Sequence, residues 1–270
     1  RNKLAETLEM MLRQDPTLRV ISGEGSQTLL CGMGELHLEV IKNRLMREFD
    51  LDIKFHKPQV SYRETVQHSV EVIGECNRQI AGQQKLASVT LRMEPIAGAN
   101  QGVEVRNEMP AGRLSPELLT TVLEELESCG QGGGRIAGFA LMRVQVSLLD
   151  AEVSEDGSDE MAFRIAANDG FEKALLQAQP VLLEPIMKLD ITTPEAYLGD
   201  FVSDLQQRRA IIVRSENLGG QADIEAHAPL KELFGYSGAM RSLSQGRASC
   251  SIEPLRYAPA PPADVKNFQF

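Results

Sequence analysis

The chain has 270 residues, of which 38 are acidic and 28 basic, giving a formal net charge of −10. That length allows two or three domains with ordinary cores, and the acidic balance argues against binding that rests on phosphate contacts alone. An aromatic content of 5% with no Trp leaves little for stacking on exposed bases. No apolar run approaches the ~18 residues that cross a bilayer, since Arg143 interrupts the best stretch, Phe139–Leu149.

The start, RNKLAETLEMML, reads as an amphipathic helix over Lys3–Leu12 with Leu4, Leu8 and Leu12 on one face. It has neither an initiator methionine nor an apolar signal core, so the chain is expected to begin inside a domain, with any targeting segment out of view. Strands are expected at Leu18–Ser22 and Gln27–Cys31, joined through Gly23-Glu24-Gly25. Gly32 and Gly34 supply turn geometry, and Leu38, Ile41, Leu45 and Phe49 then mark one face of a helix over Glu35–Phe49. From Leu51 the period changes to two: Leu51, Ile53 and Phe55 alternate with Asp52 and Lys54 until Pro58 stops the strand. The resulting order, αββαβ, is a split βαβ sandwich without its first strand.

The middle of the chain is expected to be an α+β layer. Its strands lie at Tyr62–Val66, Val70–Ile73, Ala87–Met93, Val103–Arg106 and Met142–Leu148, and its helices near Pro116–Ser128 and Asp159–Gln179. In the last part, strand Ile186–Thr192 precedes a helix with Thr193 as N-cap and Pro194 at its first position. Leu198, Phe201, Val202 and Leu205 form the buried stripe of that helix. Strands Ala210–Arg214 and Ala222–Ala228, a helix after Pro229 and strand Ala248–Glu253 complete a full βαββαβ order. The predicted fold class is therefore α+β, with two ferredoxin-like sandwiches flanking a different layer. The domains are 1–60, 61–180 and 181–257, and the proline-rich 258–270 is a tail.

Chemistry-bearing motifs are scarce. Cys31, Cys76, Cys129 and Cys250 stand far apart with no CxxC pair, which favours buried, reduced thiols over zinc or a disulfide framework. His37, His56, His68 and His227 are equally scattered, and ELHLE around His37 has no HExxH spacing. There is no GxxxxGK[ST] run, so the chain itself is not expected to bind or hydrolyse GTP. The dense glycine cluster Gly130–Gly134 follows a helix instead of opening one, and reads as a flexible connector. Acid pairs such as Glu124/Glu125 and Asp159/Glu160 read as solvated faces.

The run GMGELHLEVIKNRLMREFDLDIKFHKPQVSYRET closely resembles the third domain of elongation factor G, the ribosomal translocase GTPase. EMAFRIA, PVLLEPIMK, TPEAYLGDFVSDLQQRR and LFGYSGAMRSLSQGRA are similar to parts of its fourth and fifth domains. The resemblance covers about Lys3 to Tyr257 and implies the back half of a translational GTPase, a cytoplasmic monomer without a membrane partner. Its implied partners are the ribosome (rRNA and ribosomal proteins), the tRNA–mRNA pair and the N-terminal GTPase domains of the same protein. GTP and Mg are implied for the full-length protein and no cofactor for this part.

The resemblance also implies that the middle domain is ribosomal-protein-like and that two of its loops form a leading tip at the decoding site. The first tip loop, Gln79–Ala87 (QIAGQQKLA), keeps Gly82 as its only glycine and Lys85 as its base. The second, Asp150–Glu160 (DAEVSEDGSDE), has Ser154 roughly where the family has a histidine, beside Asp156 and five other acids. Carboxylates near RNA phosphates repel them. This departure suits either a drifted loop or a paralogue specialised for recycling or regulation. Arg241, Gln245 and Arg247 stand as the family has them, near the region that meets the large-subunit RNA loop, and Arg241 reads equally as an ion-pair residue. A small-molecule kinase-like enzyme, the alternative of another class, would need a phosphate loop.

Overall fold

Apolar side chains every three to four residues set the first helix, α1 (Asn2–Gln14), whose inward face centres on Leu8 and Met11 with Leu4 and Leu12 half-buried beside them. The computed structural model describes residues 2–22, 28–31, 35–49, 53–55, 60–80, 82–98, 102–154, 157–266 and 268. The expected turns at Gly23-Glu24-Gly25 and at Gly32 and Gly34, the strand start Leu51-Asp52, Pro58 and Asp156 lie outside these residues.

Strands β1 (Arg19–Ser22) and β2 (Thr28–Cys31) pair antiparallel, with Val20 opposite Leu30. Helix α2 (Glu35–Arg47) buries Ile41 and Leu45 fully, while Leu38 and, just past its end, Phe49 are half-buried. The strand expected at Leu51–Phe55 is not formed over its described residues. Ile53 and Phe55 pack on the core and Lys54 is exposed, so the alternation holds, but these residues join no ladder. In a split βαβ sandwich the fourth strand pairs with the first, and no such first strand lies among the described residues here.

By its internal contacts the chain divides into two compact units, residues 1–60 with 187–253, and residues 61–186 with 254–270. The second unit is built on β4 (Val70–Ile80), β5 (Gln83–Pro95), β6 (Val103–Asn107) and β7 (Val144–Val153). Their order is β4-β5-β7-β6, with β6 parallel to β7 and the other pairs antiparallel. Helices α3 (Pro116–Gln131) and α4 (Glu160–Gln177) pack on this sheet, joining Leu126, Phe163 and Phe171 to Val89, Leu91, Met93 and Val146. Ser115 Oγ accepts the Leu118 N–H and Asp159 Oδ1 the Ala162 N–H, which caps both helices.

Helix α4 touches β4 backbone to backbone. A Cβ built on Gly74 would fall 2.2 Å from the Ala166 carbonyl oxygen and 2.5 Å from Gly170 Cα. Gly74→Ala should therefore push α4 outward and cost about 1–3 kcal/mol, read as a lower urea midpoint at unchanged slope. An unshifted midpoint would show that this contact gives way freely.

Two strand expectations need correction. β4 and β5 run further than Val70–Ile73 and Ala87–Met93, because a ladder needs only backbone groups and the polar residues between extend it without an apolar signal. β3 (Arg63–Val66) belongs to another sheet: it pairs with β8 (Pro180–Pro194), Arg63 opposite Leu183.

The last part comprises β8, α5 (Leu198–Gln207), β9 (Ile211–Leu218), β10 (Gln221–Pro229), α6 (Tyr236–Ser244) and β11 (Ser249–Pro259). Its strand order, β11-β8-β10-β9, places the first strand centrally, the ferredoxin-like arrangement. Thr193 is not an N-cap. It is buried in the end of β8, since the residue before a proline avoids helical backbone. A short 3₁₀ turn, Glu195–Tyr197, follows, and α5 starts only at Leu198.

The expected tail at 258–270 is packed over its described residues. The Ala260 N–H bonds the Leu182 carbonyl at 2.8 Å, a short helix α7 (Pro262–Val265) follows, and the Phe268 ring centroid lies 5.3 Å from that of Tyr62 and 5.2 Å from that of Phe139. The cysteines are not uniformly buried either. Cys76 is buried, Cys129 and Cys250 half-buried, and Cys31 exposed; burial pushes the Cys250 thiol up to about 12.

Candidate functional site

The end of the β4–β5 hairpin and the segment between β7 and α4, the two loops that the resemblance singles out, lie together. The first is hardly a loop. Gln79 pairs with Gln84 and Ile80 with Gln83, leaving only Ala81 and Gly82 between the strands. Gly82 has φ +80°, a value that suits the missing Cβ, and Ala81 lies outside the described residues. Gln84 Nε2 donates to Asn77 Oδ1 at 2.6 Å and braces the hairpin across its strands.

The second segment is stapled to the first through Leu86. The Leu86 N–H donates to the Gly157 carbonyl at 3.1 Å, and Ser158 Oγ donates to the Leu86 carbonyl at 2.5 Å. Ser158 Oγ also accepts the Ser154 N–H at 2.8 Å, which holds half-buried Ser154 in place. Gly157 has φ +117°, and a Cβ there would lie 2.4 Å from the Gln84 carbonyl oxygen. Asp156 cannot be placed in this geometry, as it lies outside the described residues.

Lys85 is not a free base at this end. Its Nζ lies 2.5 Å from Asp159 Oδ2 and donates to Gln83 Oε1 at 3.2 Å, and its side chain is only 14% exposed. Asp159 is the α4 N-cap, so both its oxygens are engaged. The Lys85 ammonium and the Ala162 amide hold its carboxyl below the ordinary value. Arg78, opposite Lys85 in the ladder, is exposed. Sequence reading passed over Asp159 and Arg78, the first because it looked like one of a pair of solvated acids.

The second candidate group sits at the end of α6. Gln245 adopts φ +53° and closes the helix through a bond from its N–H to the Arg241 carbonyl; Gly246 follows at φ +79°. Arg241, Gln245 and Arg247 are exposed. The Arg247 guanidinium lies over the Tyr197 ring, Cζ 4.9 Å from its centroid, and donates to the Tyr197 hydroxyl. Arg241 makes no ion pair among the described residues.

The glycine cluster is more than a connector. Glu64 of β3 is fully buried, and its carboxylate accepts the N–H groups of Ile136 at 2.8 Å, Ala137 at 2.9 Å and Phe139 at 3.0 Å. A Cβ on Gly134 would meet Glu64 Oε2 at 2.1 Å. The carboxylate thus lies against Gly134, and the amides it accepts follow the glycine cluster at Ile136, Ala137 and Phe139.

Three family models match in sequence order: Elongation Factor G, domain III over residues 1–57, Elongation factor G, domain IV over 58–179, and Elongation factor G C-terminus over 181–267. The chain is 42% identical over 261 residues to Elongation factor G of Thermotoga maritima and 40% identical over 260 residues to that of Fervidobacterium nodosum. Each alignment takes in 96% of this chain but only 38% and 37% of the relative, so the chain spans well under half the length of these proteins. A crystal structure from Thermus thermophilus is similar over 99% of this chain and 40% of its own, with TM-score 0.81 and 32% identity. No described helix is long and apolar enough to cross a membrane. The chain belongs to the elongation factor G family of translation factors and carries that family's domains III and IV and its C-terminus.

Proposed function

We propose that this chain is the ribosome-docking lever of an elongation factor G-type GTPase, coupling GTP hydrolysis elsewhere in the same protein to tRNA–mRNA movement. The observation that carries the reading is the unbroken order of the three family matches along one chain. In this reading 1–60, 61–180 and 181–257 act as three domains in a cytoplasmic monomer. Gly82, Lys85, Ser154 and Asp156 are the candidates for contact on the decoding side, and Arg241, Gln245 and Arg247 those for contact with the large subunit. GTP and Mg belong to the full-length protein, and no step is assigned to them on these residues.

A second reading within the family, a paralogue for recycling or regulation, draws on the same end of the middle domain. Ser154 stands roughly where the resemblance puts the family's histidine, and Lys85 is already paired with Asp159. Both readings expect co-sedimentation with ribosomes and no saturable GTP binding by this chain in calorimetry. Micromolar GTP binding would overturn them in favour of an enzyme. Single-round tRNA movement by the full-length protein separates the two: slow movement that improves when the family's usual tip loops are grafted in supports the paralogue, and an ordinary rate supports translocation.

A further inference from the structure

We propose that the Lys85–Asp159 bridge is a lock on phosphate binding, in which Asp159 holds Lys85 as an RNA phosphate would and so withholds it from RNA. The inference rests on the reading of this end as RNA-facing and goes beyond it by naming what sets its affinity. Three observations carry it. Lys85 Nζ sits 2.5 Å from Asp159 Oδ2 with the lysine side chain only 14% exposed, so an incoming phosphate must displace a carboxylate already in place. Asp159 is itself fixed, because its other oxygen caps α4 through the Ala162 N–H at 2.9 Å. The surrounding staple, from Leu86 to Gly157 and Ser158, keeps the two strands and the α4 entry at fixed spacing.

An exposed ion pair holds its partners weakly. This pair differs because one partner is largely buried and the other is anchored by a helix cap. The acids nearby reinforce the effect. Glu152 and Glu160 are exposed on either side of the staple, and carboxylates repel phosphate while Lys85 is engaged. Arg78 remains as an exposed base across the ladder. The lock therefore predicts a surface that approaches RNA through Arg78 and backbone groups, with Lys85 in reserve.

The test is a double-mutant cycle on the 270-residue chain. Asp159→Ser removes the carboxylate and keeps a good N-cap residue, so α4 retains its start. Binding of a labelled single-stranded oligoribonucleotide is followed by fluorescence anisotropy as salt is varied. Asp159→Ser should tighten binding several-fold and steepen the dependence of log K on log salt by about 0.7, the value for one added contact to single-stranded RNA. Lys85→Gln alone should weaken binding far less than it does beside Asp159→Ser, through the carboxylate it leaves unpaired, and Lys85→Gln combined with Asp159→Ser should cancel the gain. If the combined variant keeps the gain, loss of the acid's charge suffices and the lock is wrong. If Lys85→Gln alone weakens binding as much as it does beside Asp159→Ser, Lys85 was never withheld. Equal binding by all forms removes the lock and leaves the RNA-facing reading standing; no binding by any form removes both.

Discussion

Replacing Glu64 with Ala should cost the second unit about 3 kcal/mol, because three backbone N–H groups lose their acceptor at once. Each buried donor left unpaired costs about 1–3 kcal/mol, and partial exposure of the 136–139 segment lets water recover part of that sum. Two readouts check it: the urea midpoint, and hydrogen exchange at the Ile136, Ala137 and Phe139 amides, which should quicken far more than exchange in β5. Glu64→Gln should lose less, since its one carbonyl oxygen can keep the Ala137 and Phe139 amides that Oε1 accepts while its NH₂ turns toward the Ile136 N–H. Wild-type protection in Glu64→Gln would show that the cradle closes without the carboxylate. Gly134→Ala offers an independent check, as its Cβ would enter the space of Glu64 Oε2 at 2.1 Å.

Glu64 also marks where sequence reading stops. The helix α2, the stripe of α5 and the order of elements along the last domain were legible because each follows from a local period, and a period is a property of neighbours. Glu64 meets the amides it cradles 72 to 75 residues further along the chain, and Lys85 meets Asp159 at a separation of 74. No window of neighbouring residues holds such pairs. A faint signal existed for the first. Tyr62, Glu64 and Val66 share one side of a strand, and Tyr62 and Val66 are apolar and buried, so a carboxylate between them requires internal donors. The same limit explains the misplaced β3, whose partner strand lies far along the sequence, and the short readings of β4 and β5. It also explains Asp159, which reads as solvated from its neighbours alone although its lysine lies on β5.

Phe201→Ala should be the most damaging single truncation in the last domain, at about 3–5 kcal/mol. Spacing alone puts Leu198, Phe201, Val202 and Leu205 on one helical stripe with equal standing, but burial separates them. Phe201 and Leu205 have no exposed surface, whereas Leu198 and Val202 are only half-buried. Phe201 packs into one cluster with Leu189 and Ile191 of β8, Ile224 and Ala226 of β10, and Tyr236 of α6, so its removal leaves a cavity bounded by a sheet and a second helix. Those elements are joined by a hydrogen-bonded ladder and cannot easily close on the gap, which puts the cost at the upper part of the range. Val202→Ala removes fewer atoms from a side chain that water already reaches, and should cost about 1 kcal/mol or less. The comparison is made by urea denaturation of both variants, with hydrogen exchange in β10 as the local probe. Equal losses would mean that α5 is rotated from the phase described here. A loss below about 1 kcal/mol for Phe201→Ala would mean that the domain repacks around the gap, and that its core is looser than full burial of Phe201, Leu205 and Ala226 implies.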